Sequence, residues 1–246
     1  MPESLARLLR IMARLRDPER GCEWDVAQSF ETIAPYTIEE AYEVADAIER
    51  KEMAELKHEL GDLLFQVVFH ARMAEEAGLF DFHDVAQVIA DKMESRHPHV
   101  FAGENSPGWE ELKAEERREG GAASAMDGVA KALPALLRAE KLQKRARRLG
   151  FDWPDLDGPK AKLVEEIEEL TLAQPDKKLE EAGDLLFAAV NLVRAHGIAP
   201  ESALREANNK FERRFRQMEA LAEGNFADLS LEQQEELWQQ VKAQER

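Results

Sequence analysis

The sequence predicts an almost wholly α-helical protein made of two copies of one helical unit. Three observations carry this. Helix formers (Ala, Leu, Glu, Arg, Lys and Gln) fill most windows of the 246 residues. Apolar residues recur at helical spacing, and alternating strand patterns are scarce. One set of residues then appears twice in the same order.

The elements follow along the chain. Leu5, Leu8, Leu9, Met12 and Leu15 stripe a first helix over 5–15. Pro35 and Thr37 predict the start of a second at about Ile38, because Thr37 and Glu40 have capping-box spacing; it runs to about Glu49. Leu60, Leu63, Leu64, Val67 and Val68 stripe a long helix that Gly78 ends, and Asp81–Arg96 forms another, stopped before Pro98. Pro107, Gly108, Gly120, Gly121 and a run of small residues interrupt the pattern, so 119–128 is expected to be a flexible linker. The expected domains are 1–118 and 129–246. Helical periodicity resumes at Val129 and is broken again by the elbow Phe151–Pro159.

The repeat is explicit. Gly-Asp-Leu-Leu-Phe occurs at 61–65 and at 183–187. Glu39, Glu40 and Glu43 recur as Glu165, Glu166 and Glu169; Glu59 and Asp62 recur as Glu181 and Asp184. Lys92 and Arg96 match Lys210 and Arg214, and Trp109 and Lys113 match Trp238 and Lys242. The offset changes only between elements, as loop insertions produce.

Composition excludes several classes. The net charge is −17, so an acidic surface repels nucleic acid and no such partner is expected. No apolar run is long enough for a membrane span, and the Arg-rich start lacks the apolar stretch of a secretory signal. A single cysteine, Cys22, permits no internal disulfide and no thiolate zinc cluster, which fits the cytoplasm.

The chemistry resides in the carboxylates. Within each copy, E-E-x-x-E places three glutamates on one side of a helix, and E-x-x-D places two more on a very apolar helix. If the two helices pack antiparallel, four or five carboxylates converge, and only a cation offsets their repulsion. All-oxygen ligands suit Mg²⁺, with Mn²⁺ as the alternative. Glu115, Glu116 and Glu119 spell the first motif again, but no E-x-x-D helix follows, so they predict a charged surface helix. A metal-bound phosphate substrate also needs cations. Lys210, Arg213 and Arg214 form one candidate set, and Lys141, Lys144, Arg145 and Arg148 another. Lys242 lies one turn beyond Trp238, whose ring could stack on a nucleobase. The first copy has Ala13 where the second has Lys141, so the second half is the better candidate for catalysis, with Glu166 or Glu169 as general base. Two other readings stand beside this one. One is a non-catalytic dimerisation module or NTP sensor. The other is a ferritin-like di-iron protein, through Glu55-x-x-His58 and Glu94-x-x-His97.

The paired motifs resemble those of the MazG family of nucleoside triphosphate pyrophosphohydrolases, over nearly the whole chain. The first copy fits the family spacing with 15 residues between Glu43 and Glu59. The second has 11 between Glu169 and Glu181, just short of the usual range. Glu23 stands where relatives commonly have Pro. The resemblance implies two MazG-like units of four-helix-bundle type, assembled through a homodimer. It also implies Mg²⁺-dependent hydrolysis of NTPs to NMP and pyrophosphate. It implies metal binding by Glu165, Glu166, Glu169, Glu181 and Asp184, and by Glu39, Glu40, Glu43, Glu59 and Asp62 in the first copy. Lys210 and Arg214, or Lys92 and Arg96, would contact the triphosphate, and Trp238 the base.

Overall fold

The computed structural model of the chain describes residues 3–103 and 108–245; Pro107 and the side chain of Trp109 lie outside the described ones. Among the described residues every regular element is helical. The chain divides into two compact units, Met1–Leu112 and Lys113–Arg246.

In the first unit, α1 (Glu3–Leu15), a short α2 (Glu23–Ala27), α3 (Phe30–Arg50), α4 (Met53–Glu76), α5 (Phe82–Arg96) and a single turn, α6 (Pro98–Phe101), follow in order. α3 and α4 form an antiparallel pair joined by two residues, and α1 and α5 pack on α4. Lys51 makes the tight connection in the left-handed region, φ 61°, while its N–H reaches back to the carbonyls of Ala47 and Ile48. The predicted apolar stripes meet here. Met12, Ile33, Val68, Phe69 and Met73 are buried together, with Leu8, Leu9, Phe65 and Phe82 against them. Arg16 lies over the Phe69 ring at 5.3 Å, pairs with Glu76 at 2.7 Å and donates to the Asp25 carbonyl at 2.6 Å. It thereby ties α1, α2 and α4 together.

The start of α3 corrects the sequence expectation. The helix begins at Phe30, not near Ile38, and Ser29 rather than Thr37 caps it: Ser29 Oγ accepts from Thr32 N, and Thr32 Oγ1 accepts from Ser29 N. Pro35 therefore lies inside the helix, where it forfeits one backbone hydrogen bond. Thr37 uses its hydroxyl on the Ile33 carbonyl and on His70 Nε2, 3.0 Å away.

α7 (Trp109–Glu119) carries Glu115, Glu116 and Glu119, as the charged-helix reading expected. In the second unit it is followed by α8 (Ala135–Arg148), α9 (Asp157–Leu172), α10 (Lys178–Ala195), α11 (Pro200–Leu221), a 3₁₀ turn at Phe226–Asp228 and α12 (Leu231–Gln244). α9 runs along α10, α8 packs on α10 and α11, and α12 packs on α11. The order α8, α9, α10, α11 repeats α1, α3, α4, α5. The interior differs, however. Met12 and Leu15 of α1 correspond to Glu140 and Gln143 of α8, which are buried polar residues. Glu140 is held by Lys144 at 2.6 Å, and Gln143 Nε2 donates to the Phe187 carbonyl on α10 at 2.9 Å. Arg194, also buried, forks Asp152 and reaches Asn191. This hydrogen bonding by Arg194 holds the Asp152 carboxyl below the usual carboxylate range.

Candidate metal and phosphate sites

Antiparallel helices joined by a short turn bring together residues equally distant from that turn. α9 and α10 join through residues 173–177, which sets Glu166 opposite Asp184 and Glu169 opposite Glu181. One carboxylate oxygen each from Glu166, Glu181 and Asp184 lies within 4.8 Å of the others, and Glu166 forms a second such group with Glu165 and Glu169. All five sequence-predicted carboxylates thus converge around Glu166.

Glu166 is only 3% exposed. One oxygen, Oε1, is held by Lys162 Nζ at 2.6 Å; Oε2 is buried without a partner. Lys162 also holds Glu165 at 2.7 Å, and these two bonds raise its pKa. Burial, followed by repulsion from Glu166, pushes the Glu169 carboxyl above its ordinary value. Five carboxylates with one nearby ammonium and one orphaned buried oxygen fit a divalent cation. Lys162 was missed in the sequence, although its position four residues before Glu166 is an i,i+4 pairing signal.

In the first unit the same geometry assembles Glu40, Glu59 and Asp62, with one oxygen from each within 4.8 Å of the others. Burial first, then repulsion from Asp62 and Glu43, raises the Glu40 pKa; burial, then Glu43 and Asp62, raises that of Glu59. Glu43 is therefore close to Glu59, whereas Glu39 is exposed and belongs to no such group. Tyr36 occupies the position of Lys162 and meets the edge of Trp24 at 6.1 Å. Gln66, buried, donates to Glu40 Oε1 at 3.4 Å; its counterpart in the second unit is Ala188.

The cations are distributed unevenly. Lys210 is exposed on α11, and one turn on, Arg214 lies over the Trp238 ring at 5.3 Å. Arg213 and Arg214 both pair with Glu245, at 3.2 and 2.6 Å. Lys242 is half-buried on α12 and Lys141 is exposed on α8. Lys144 is engaged by Glu140, and Arg145 donates to the carbonyls of Ala125 and Asp127, fastening that turn to α8. In the first unit Lys92 is exposed, and Arg96 lies half-buried in the last turn of α5. The di-iron residues go elsewhere. Glu55 pairs with Arg50, His58 is exposed, and His97 Nδ1 lies 2.7 Å from the Met93 carbonyl. None of the three carboxylate groups includes a histidine.

Fold and sites together define an all-α protein with duplicated carboxylate clusters of the kind that hold a hard divalent cation. Residues 28–101 match the MazG nucleotide pyrophosphohydrolase domain, and residues 138–211 match the phosphoribosyl-ATP pyrophosphohydrolase domain. The chain is 52% identical to the nucleoside triphosphate pyrophosphohydrolase of Escherichia coli K12, over 97% of each chain. It is 44% identical to the nucleoside triphosphate pyrophosphohydrolase/pyrophosphatase MazG of Thermotoga maritima, over 96% of this chain and 94% of that one. A nucleoside triphosphate pyrophosphohydrolase of Mycolicibacterium smegmatis is 37% identical over 61% of this chain and 49% of its own. The chain belongs to the MazG family, in its two-copy form. Among the described residues no helix is long and apolar enough to cross a membrane.

Proposed function

We propose that the chain is a nucleoside triphosphate pyrophosphohydrolase that depends on Mg²⁺ (or Mn²⁺), converting an NTP or dNTP and water to NMP and pyrophosphate. The α9–α10 cluster serves as its main active site. The observation that carries this reading is Glu166, whose buried carboxylate has one oxygen on Lys162 and the other unpartnered beside Glu181 and Asp184. The names of the relatives supply the substrate class.

Glu165, Glu166, Glu169, Glu181 and Asp184 would hold the metal. Bound there, it would offset phosphate charge and acidify a coordinated water. Glu169, set opposite Glu181 across the α9–α10 turn, accepts the proton of the attacking water at its carboxylate. Lys162 holds Glu166 Oε1 and offsets part of the cluster's negative charge. Lys210 and Arg214 bind the triphosphate and stabilise the charge that grows on the leaving pyrophosphate. Trp238 and Lys242 lie toward the base, and Lys141 adds positive charge on α8. Working as a cytoplasmic homodimer is part of the proposal. Leu60, Leu64 and Val67 of α4 and Leu186 and Phe187 of α10 leave apolar surface that a second copy would cover.

A pyrophosphate-release assay over a panel of NTPs and dNTPs tests the reading. Release requires Mg²⁺ and stops in EDTA. Glu166→Ala lowers kcat by about 10³-fold or more, with helicity unchanged by circular dichroism. Binding of NTPs without any release would support the sensor reading instead.

A further inference from the structure

We propose that Glu245 is a positioning residue of the nucleotide site, fixing Arg214 for the triphosphate and α12 for the base. The proposal rests on the hydrolase reading above. α12 presents Trp238, Val241, Lys242 and Glu245 on one face, at i, i+3, i+4 and i+7. Val241 is fully buried and anchors that face.

Glu245 sits at the C-cap of α12, the end where the helix macrodipole disfavours a carboxylate. Two arginines from α11 offset that penalty. Arg214 donates from Nε and Nη2 to Glu245 Oε2 at 2.8 and 2.6 Å; Arg213 donates from the same two atoms to Oε1 at 3.4 and 3.2 Å. The Arg214 contact, the largest influence, holds the Glu245 carboxyl below its ordinary range. The Arg214 side chain is 17% exposed and that of Glu245 24%, at the exposed end of α12.

The guanidinium of Arg214 is therefore constrained in two ways. The Trp238 ring lies beneath it, 5.3 Å from Cζ to the ring centre, and Glu245 holds its Nε–Nη2 edge. The fork uses Nε and Nη2, so Nη1 is the atom assigned to the ligand. Phe211, one residue after Lys210, packs against the other end of the group, 5.8 Å from the Trp238 ring centre. α11 supplies the phosphate-binding cations and α12 the base-facing ring, so the Glu245 fork sets the relation between them. Long-range electrostatics predicts the opposite sign from this role. In a chain of net charge −17, deleting a negative charge should by itself help an anion bind.

The experiment is steady-state kinetics of the full chain with Mg²⁺ and NTP, comparing wild type, Glu245→Gln, Glu245→Asp and Glu232→Gln. Glu245→Gln is expected to raise KM about 5-fold with kcat within about 2-fold, and Glu245→Asp to restore part of the loss. Glu232→Gln, which removes the same charge from the exposed start of α12, leaves KM unchanged. Arg214→Ala raises KM further, and adding Glu245→Gln to it has little more effect. An unchanged KM in Glu245→Gln would overturn the positioning role while wild-type turnover upholds the hydrolase reading. A lower KM would also overturn it, by making Glu245 a competitor of phosphate. A wild-type chain that releases no pyrophosphate would overturn both.

Discussion

The two units share a helix order and a carboxylate pattern, yet they use the same interior positions differently. In the first, Met12 of α1 closes on Val68 and Phe69 of α4 in an apolar core. In the second, α8 places Glu140 at the Met12 position, and α10 sets Asn191 where α4 has Phe69. The carboxylate sites differ in the same sense. Glu166 is paired to Lys162, whereas Glu40 has Tyr36 in that position and accepts from the Gln66 amide. A duplicated helical frame tolerates this divergence because the antiparallel turn, not the interior chemistry, brings the carboxylates together. Our reading is that the first unit has kept the frame chiefly for stability and the second chiefly for chemistry.

Stability separates the units most strongly. Phe69→Ala, at a fully buried site, should destabilise the first unit by about 3–5 kcal/mol in urea unfolding. Glu140→Met in the second should cost less than about 1 kcal/mol, or stabilise it, because Lys144 is half exposed and returns to water. Equal losses at both positions would break the contrast. Next in size is the lysine. Lys162→Met strands a buried carboxylate and should lower kcat/KM by about 10- to 100-fold, whereas Tyr36→Phe should leave it within about 2-fold. The smallest effect concerns pH. Glu40 and Glu59 have raised pKa values in the folded chain, so metal-free folded protein binds protons more tightly there than the unfolded chain does. Their burial, then repulsion among the carboxylates, costs stability at neutral pH, and the cost fades as pH falls through the raised values toward the ordinary 4.5. Glu40→Gln should therefore raise the metal-free melting temperature at pH 7 by about 1–2 °C, and the gain should vanish in acid.

Much of this was legible from the residues. The tandem organisation could be read because the carboxylates, the Gly-Asp-Leu-Leu-Phe string and the Lys/Arg pairs recur in order, and their helical spacing requires no tertiary information. The start of α3 was not. Pro35 and Thr37 form a strong local start signal, and only the packing of Ile33 into the core shows that the helix continues through them. Spacing placed Arg145 on the same face as Lys141, but what that face abuts depends on the turn at 125–127 folding back. Glu245 was invisible for a related reason: its arginines lie 31 and 32 residues away, and the pairing exists only once α12 returns onto α11. Lys162 could have been found by extending the i,i+4 logic one turn upstream.

The central claim is that one copy reacts and the other supports it. Pyrophosphate release with Mg²⁺–NTP, measured for the full chain carrying Asp184→Asn or Asp62→Asn, tests it most directly. The account predicts a loss of about 10³-fold or more in kcat for Asp184→Asn, and at least half of wild-type turnover for Asp62→Asn. Full activity in Asp184→Asn, or its collapse in folded Asp62→Asn, would contradict it.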